Sequence, residues 1–250
     1  MIGMNVSLQE LRGELRDLQE LRPELHEPEL FVLWFVMAAL GENDPDDAAA
    51  ALVGGAGDKG VDAIYVDHES ATVSIVQGKF SAAEKGSEPL SEVVAFASLS
   101  PMLFDNDKYK AWAVKALPTT AARMKDARRL LLTRSYRLNL CYATTRACSQ
   151  TSEQQASRLA RAERVQLTIY QRRDIDRLIR DYLDGVAPPI PRVDLPIETA
   201  PSSGYIKRHD PKTQITSWIV SVRAQEVARL YDQHGEKIFA RNIRGVSRTW

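Results

Sequence analysis

Asp62, Gln77 and Lys79 are the residues of this chain whose types and spacing could do chemistry together. They lie in the stretch Gly54–Phe80, GGAGDKGVDAIYVDHESATVSIVQGKF. Two runs rich in β-branched residues, VDAIYV and TVSIVQ, flank the polar break DHESA, which predicts a β-hairpin over 61–80. Asp62 stands at the start of the first strand, and Gln77 and Lys79 at the end of the second. In an antiparallel pair those two positions are neighbours. Residues two apart on a strand share a face, so Gln77 and Lys79 point the same way. A carboxylate, an amide and an ammonium meeting at one sheet edge can hold a divalent cation and polarise a phosphate.

The glycines ahead of the first strand offer a rival. Gly55-Ala56-Gly57-Asp58-Lys59-Gly60 matches G-x-G-x-x-G, the dinucleotide fingerprint. That fingerprint needs a strand before it and a helix after it, so that a pyrophosphate meets the helix N-terminus. Here DDAAAALV before it reads as helix and VDAIYV after it as strand, so the order is reversed. A helix-to-strand turn that uses glycine for positive φ explains the same residues.

The elements that must position these residues can be read along the chain of 250 residues, whose 44% hydrophobic and 26% charged content is that of a globular protein. Leucines at 8, 11, 15, 18 and 21 mark an amphipathic packing helix over 7–22. From Glu29 runs ELFVLWFVMAAL, apolar almost all round and stopped by Gly41, which predicts a helix buried in the core. Glu29 in its first turn suits the helix dipole, and it is also a candidate further carboxylate for the site. A short helix follows over 46–53. Beyond Lys79 the sequence predicts a polar loop, helices from Leu90 to Leu132, a strand at 136–145, a helix from Thr151 or Ser152 to Val165, a strand from Val165 and a helix ended by Gly185. This succession implies an α/β fold with a mixed central sheet flanked by helices.

Prolines at 188, 189, 191, 196 and 201 mark a linker. The expected domains are therefore 1–186, a linker over 187–204, and 205–250, a small α+β extension too short to bury a core of its own. Within the extension TQITSWIVSV reads as strand and AQEVARLYDQHG as helix.

Net formal charge is zero, yet residues 1–70 hold 4 basic and 15 acidic residues and residues 121–180 hold 14 and 5. In the basic part Arg123, Lys125, Arg128 and Arg129 fall on one predicted helix, and Arg158, Arg161 and Arg164 on another. If those sides flank the Asp62–Lys79 edge they are candidate phosphate contacts; if they face away they are solvated arginines. Cys141 and Cys148 fit no CxxC pattern, and His26, His68, His209 and His234 form no ligand spacing. Two cysteines without a secretory signal imply a reducing, cytoplasmic setting, and the apolar run Leu30–Leu40 is too short to span a bilayer.

Gly57-Asp58-Lys59-Gly60-Val61-Asp62 with Gln77-Gly78-Lys79 resembles the PD-(D/E)xK nuclease superfamily, and within it the Mrr-like restriction branch, where the last motif is often Q-x-K. More narrowly, GDKGVDAIYVD followed by VSIVQGKF is similar to the N-terminal part of the abortive-infection phage-resistance (AIPR) family. SWIVSVRAQEVARLYDQHGEKIFARNIRG is similar to the segment after that family's nuclease-like region, where LFxRNxRG recurs. The family typically continues with L-G, where this sequence has Val246-Ser247, so 205–250 would be the start of a second, incomplete region. The resemblance implies a restriction-endonuclease-like fold and a Mg²⁺- or Mn²⁺-dependent endonuclease of an antiphage defence system. Asp62 would bind metal, Gly78 would add its backbone carbonyl, Gln77 would take the second acidic-type position, and Lys79 would stabilise the attacked phosphate or orient the water. The expected partner is nucleic acid, DNA first, with no membrane; a homodimer is left open. The alternative is a nuclease-fold module that binds nucleic acid or a partner protein without cutting, and a purely structural assembly domain is a third.

Overall fold

The chain divides into two units, Met1–Pro188 and Pro189–Trp250. The computed structural model describes residues 6–53, 59–81, 86–134, 136–185, 206–210, 215–219 and 221–234. The boundary between the units falls in the proline-rich segment, most of which lies outside the described residues, as do the glycine-rich turn over 54–58 and the IFARNIRG stretch near the end.

The first unit opens with α1 (Val6–Leu21), whose leucine stripe packs inward: Leu8, Leu11, Leu15 and Leu18 are buried, while Leu21 is exposed. Next come α2 (Glu27–Phe35), continued by a π-helical turn at Val36–Leu40, and the short α3 (Pro45–Ala50). Every residue from Leu30 to Ala39 is buried, as the all-round apolar sequence requires. Gly41 ends the run in the left-handed region, at φ 85°, with its N–H on the Met37 carbonyl.

The predicted hairpin forms as β1 (Ala63–Asp67) and β2 (Thr72–Lys79), paired antiparallel from Ala63 opposite Val76 to Asp67 opposite Thr72. Four helices follow: α4 (Leu90–Ala97), α5 (Leu99–Phe104), α6 (Asn106–Ala113) and α7 (Pro118–Thr133). Asp105, in the expected break, caps α6 by accepting from the Asp107 and Lys108 N–H groups. Then β3 (Arg137–Thr144) lies parallel to β2, α8 (Gln150–Ala160) crosses over, β4 (Val165–Tyr170) lies parallel to β3, and α9 (Arg172–Leu183) closes the unit. The sheet order is β1-β2-β3-β4. The expected α/β class with a mixed, helix-flanked sheet is what the structure shows.

Strand alternation divides the core in two. Ala63, Val76, Cys141 and Ala143 face α1, α2 and α9, while Ile64, Val73, Ile75, Leu138, Leu140 and Tyr142 face α4, α5, α7 and α8. The closest approach between layers is at Gly78. A Cβ built there would lie 2.5 Å from Val32 Cγ2 and 3.3 Å from Phe31 Cδ1, so α2 sits where only glycine allows it.

Both ends of α8 differ from expectation. Ser149, rather than Thr151 or Ser152, caps α8, its Oγ accepting from the Ser152 N–H at 3.1 Å. The same helix ends at Ala160, five residues before the expected end at Val165, because a turn with Arg164 at φ 59° must feed β4.

In the second unit β5 (Ile206–Asp210) pairs antiparallel with β6 (Ile215–Ile219), and α10 (Ala224–His234) follows. Strand β6 and the helix match the sequence reading. Strand β5 was not foreseen, because IKRHD is too polar to signal one. Among the described residues no helix is long and apolar enough to cross a membrane.

Gly78→Ala is expected to lower stability by about 1–3 kcal/mol through overpacking against α2. Denaturant unfolding checks this, and combining it with Val32→Ala should give a loss smaller than the sum of the two single changes, since the clashing methyl is gone.

Candidate functional site

The site forms where β2 ends. Asp62 enters β1 with its backbone held on both sides: its N–H donates to the Val76 carbonyl and its carbonyl accepts from the Val53 N–H, each at 2.9 Å. That fixes the carboxylate, whose Oδ2 accepts the Gly78 N–H at 2.7 Å. Lys59 and Gly60, with φ of 58° and 78°, turn the chain into this position. Gly60 is needed for space as well as for φ, since Gln77 Nε2 would lie 3.0 Å from a Cβ there. Gln77 is buried, its amide folded against that turn.

Two pockets meet at Asp62. One, of about 510 Å³, is lined by Lys59, Gly60, Asp62, Gln77, Gly78, Lys79 and Glu92 among others. The other, of about 570 Å³, has the apolar walls Leu25, Val32, Leu52 and Val53, with Glu29, Thr119 and Arg123 at its rim. Pro28, Asp62 and Gly78 belong to both. Asp62, Gln77, Gly78 and Lys79 thus share one pocket, and Glu29 borders the adjoining one with Asp62.

Glu29 has a job of its own. Its Oε2 accepts the His26 N–H at 2.8 Å and so closes the start of α2. The site and the helix cap draw on the same side chain.

Two acidic residues beside the motif, Glu92 and Glu88, were not singled out from sequence. Lys79 Nζ lies 3.1 Å from Glu92 Oε2, in the first turn of α4. Glu88 is buried, with Oε1 accepting from Thr144 Oγ1 at 2.8 Å and Oε2 from Tyr142 Oη at 3.1 Å. Its backbone N–H donates to the Ala147 carbonyl at 2.9 Å. Tyr142 and Thr144 are the register partners of Gln77 and Lys79. Burial, reinforced by the Glu88 charge, pushes the Tyr142 phenol up, so it keeps its proton and remains a donor. The only sequence signal for these residues was acidic side chains on either side of Pro89-Leu90, a common pattern at a helix start.

The arginines divide. Arg123 borders the apolar pocket with Nη1 on the Leu52 carbonyl at 3.2 Å. Arg128 is a packing residue, donating to the Leu103 carbonyl and Asn106 and lying 4.6 Å over the Tyr109 ring. Of Arg158, Arg161 and Arg164, only Arg158 is on α8; Arg161 follows its end and Arg164 sits in the turn before β4. Leu138 donates to the Arg164 carbonyl at the start of β3, beside the start of β2. With β2, β3 and β4 parallel, Arg164 and Lys79 stand at opposite ends of the sheet, about 20–25 Å of strand apart. Arg164 therefore does not flank the Asp62–Lys79 edge.

A cysteine nucleophile is a poor fit. Burial pushes the Cys141 thiol up to about 12, and burial with Glu88 and Glu153 nearby pushes Cys148 to about 11. Neither supplies thiolate near neutral pH. Among the described residues no group of three or more His, Cys, Asp or Glu side chains converges as a metal cage. The order around Gly60 is α3, turn, β1, the reverse of a dinucleotide site. Compared with protein-family models, with curated proteins and with solved structures, the chain matches none.

Glu88→Ala is expected to lower stability by about 1–3 kcal/mol, because two buried hydroxyls lose their acceptor. Glu88→Gln, which keeps an acceptor oxygen, should lose less; chemical denaturation of both variants checks the order. Alkylation with iodoacetamide at neutral pH should leave Cys141 unmodified in the folded chain and modify it in denaturant, as mass spectrometry of the two samples would read.

Proposed function

We propose that this chain is a Mg²⁺-dependent endonuclease of the PD-(D/E)xK type, with a restriction-endonuclease-like fold, acting on DNA. The observation that carries the reading is the meeting of Asp62, Gln77, Gly78 and Lys79 in one pocket at the end of β2. The assignment to an AIPR-like antiphage defence protein rests on the sequence resemblance of 57–80 and of the C-terminal segment.

The donor set fits a hard divalent cation. Asp62 offers a carboxylate, and Gln77 an amide oxygen. Successive residues of a strand aim their backbone groups at opposite neighbours. Lys79 O accepts from the Thr145 N–H on the β3 side, while the Gly78 N–H faces Asp62. The Gly78 carbonyl therefore lies on the Asp62 side, past the start of β1. One carboxylate with neutral oxygens is enough for Mg²⁺, which normally keeps several waters and takes substrate phosphate as a ligand. A bound divalent cation supplies a more acidic water and neutralises charge developing on the phosphate.

The chain's residues supply the rest. Asp62 is oriented by the Gly78 N–H, so its carboxylate is held at the pocket without rotational search. Lys79 brings an ammonium to the place where a phosphate oxygen gains charge. Gln77, wedged against Gly60, holds its amide without adding negative charge that would repel a phosphodiester.

A second reading has its own support. The pocket holds the single motif carboxylate Asp62, already bonded to Gly78, while Lys79 is engaged by Glu92. A nuclease-fold module that binds nucleic acid or a partner protein without cutting accounts for that arrangement.

Incubation of the purified chain with supercoiled DNA, linear DNA and RNA, in Mg²⁺ or EDTA, separates them. Cleavage that needs Mg²⁺ and falls on the order of 10²–10³-fold in Lys79→Ala supports the nuclease. Asp62→Asn is the companion variant, because it keeps an acceptor for the Gly78 N–H while removing the charge; it should lose cleavage with its fold intact by circular dichroism. Binding without cleavage in either metal condition supports the silent module.

A further inference from the structure

We infer that Glu92 is a positioning residue of this site: it holds the Lys79 ammonium in the pocket beside Asp62. The inference rests on the nuclease reading and deepens it.

Lys79 ends β2, and its side chain is partly exposed, 38% against 46% for Glu92. A four-carbon stem at a strand end has many rotamers, and holding one of them requires a fixed partner. Glu92 Oε2, 3.1 Å from Lys79 Nζ, is that partner. Both side chains line the pocket that contains Asp62.

What makes Glu92 a fixed partner is its anchorage. Residues 86–92 leave a loop and enter α4, and Glu88 ties that entry to the end of β3 through two side-chain bonds and one backbone bond. One of those anchors, Thr144, pairs in register with Lys79 itself. The helix start is thereby placed over the strand end, and Glu92 is carried to the ammonium. Glu88, fully committed to Tyr142 and Thr144, is the clamp, and Glu92, lining the pocket, is the carboxylate that holds Lys79.

An exposed ion pair contributes little to stability, so folding does not need this one. A first-turn acid also suits the dipole of α4, which is the purely structural account of Glu92. The two accounts differ in what happens when Lys79 is absent. A positioning residue acts only through Lys79, so its loss has no further effect in Lys79→Ala; a helix-start residue has the same effect in either background.

The test uses the full chain. Cleavage of supercoiled plasmid in Mg²⁺ is measured for wild type, Glu92→Gln, Lys79→Ala and the double variant, with thermal unfolding of each. The lysine ammonium resonances of ¹⁵N-lysine-labelled, metal-free protein give a readout independent of activity, the Lys79 signal being assigned by its loss in Lys79→Ala. The expected result is a kcat lower by about 10- to 100-fold in Glu92→Gln with KM unchanged. It also includes no further loss in the double variant, an unchanged unfolding midpoint and a displaced Lys79 resonance. A wild-type rate in Glu92→Gln, an equal loss in both backgrounds, or an unmoved Lys79 resonance with a lowered unfolding midpoint overturns it. A wild type that never cuts overturns the nuclease reading and this inference together, whereas a cutting wild type with an indifferent Glu92→Gln overturns only the role of Glu92.

Discussion

The missing side chain of Gly78 is the constraint on which the rest of this unit depends. Helix α2 is apolar on all sides and must be covered on all sides, which drives it down onto the sheet until Val32 and Phe31 occupy the space a Cβ would need. The same residue turns its N–H away from β3 toward β1, where the ladder has just ended and the Asp62 carboxylate takes its place. One position therefore sets the spacing between two layers and the direction of the Asp62 carboxylate. A larger residue would disturb the core and the cleft together.

The cleft grows out of the core by a change of residue type along two strands. On the face toward α4–α8, β2 presents Val73, Ile75, Gln77 and Lys79 in turn, and β3 presents Leu138, Leu140, Tyr142 and Thr144. The pairs Val73–Leu138 and Ile75–Leu140 are apolar and buried; Gln77–Tyr142 and Lys79–Thr144 are polar. A sheet that ended in unpartnered polar groups would be unfavourable, and Glu88 is what completes the transition, accepting from both β3 hydroxyls.

The local elements were legible in the sequence because short-range patterns encode them. Leucine spacing gave α1, the unbroken apolar run gave α2, and two β-branched runs around DHESA gave the hairpin, together with the neighbourhood of Asp62, Gln77 and Lys79. What escaped was encoded between distant residues. Glu88 and Glu92 lie past a polar loop and look like ordinary helix-start acids; only the parallel register of β2 and β3 brings Tyr142 and Thr144 beside Lys79, where Glu88 binds them and anchors the start of α4. Arg158, Arg161 and Arg164 have helical spacing, but the chain must leave the helix at Ala160 to feed β4, and that need is a property of the sheet rather than of the segment. Strand β5 was hidden for a related reason, since IKRHD shows no alternation of apolar and polar residues.

That separation between near and distant partners orders the assembly of the unit in time. The Asp62–Gly78 bond spans 16 residues, so it can form as soon as the hairpin exists. The Glu88 bonds to Tyr142 and Thr144 span 54 and 56 residues and wait for β3 to dock in parallel, a slow step because a long loop must close before any contact rewards it. A chain still emerging during synthesis, with β3 not yet made, holds the motif residues near one another on an unclamped hairpin. The finished cleft appears only with the cooperative completion of the sheet, so a competent site and a folded unit arrive in the same event.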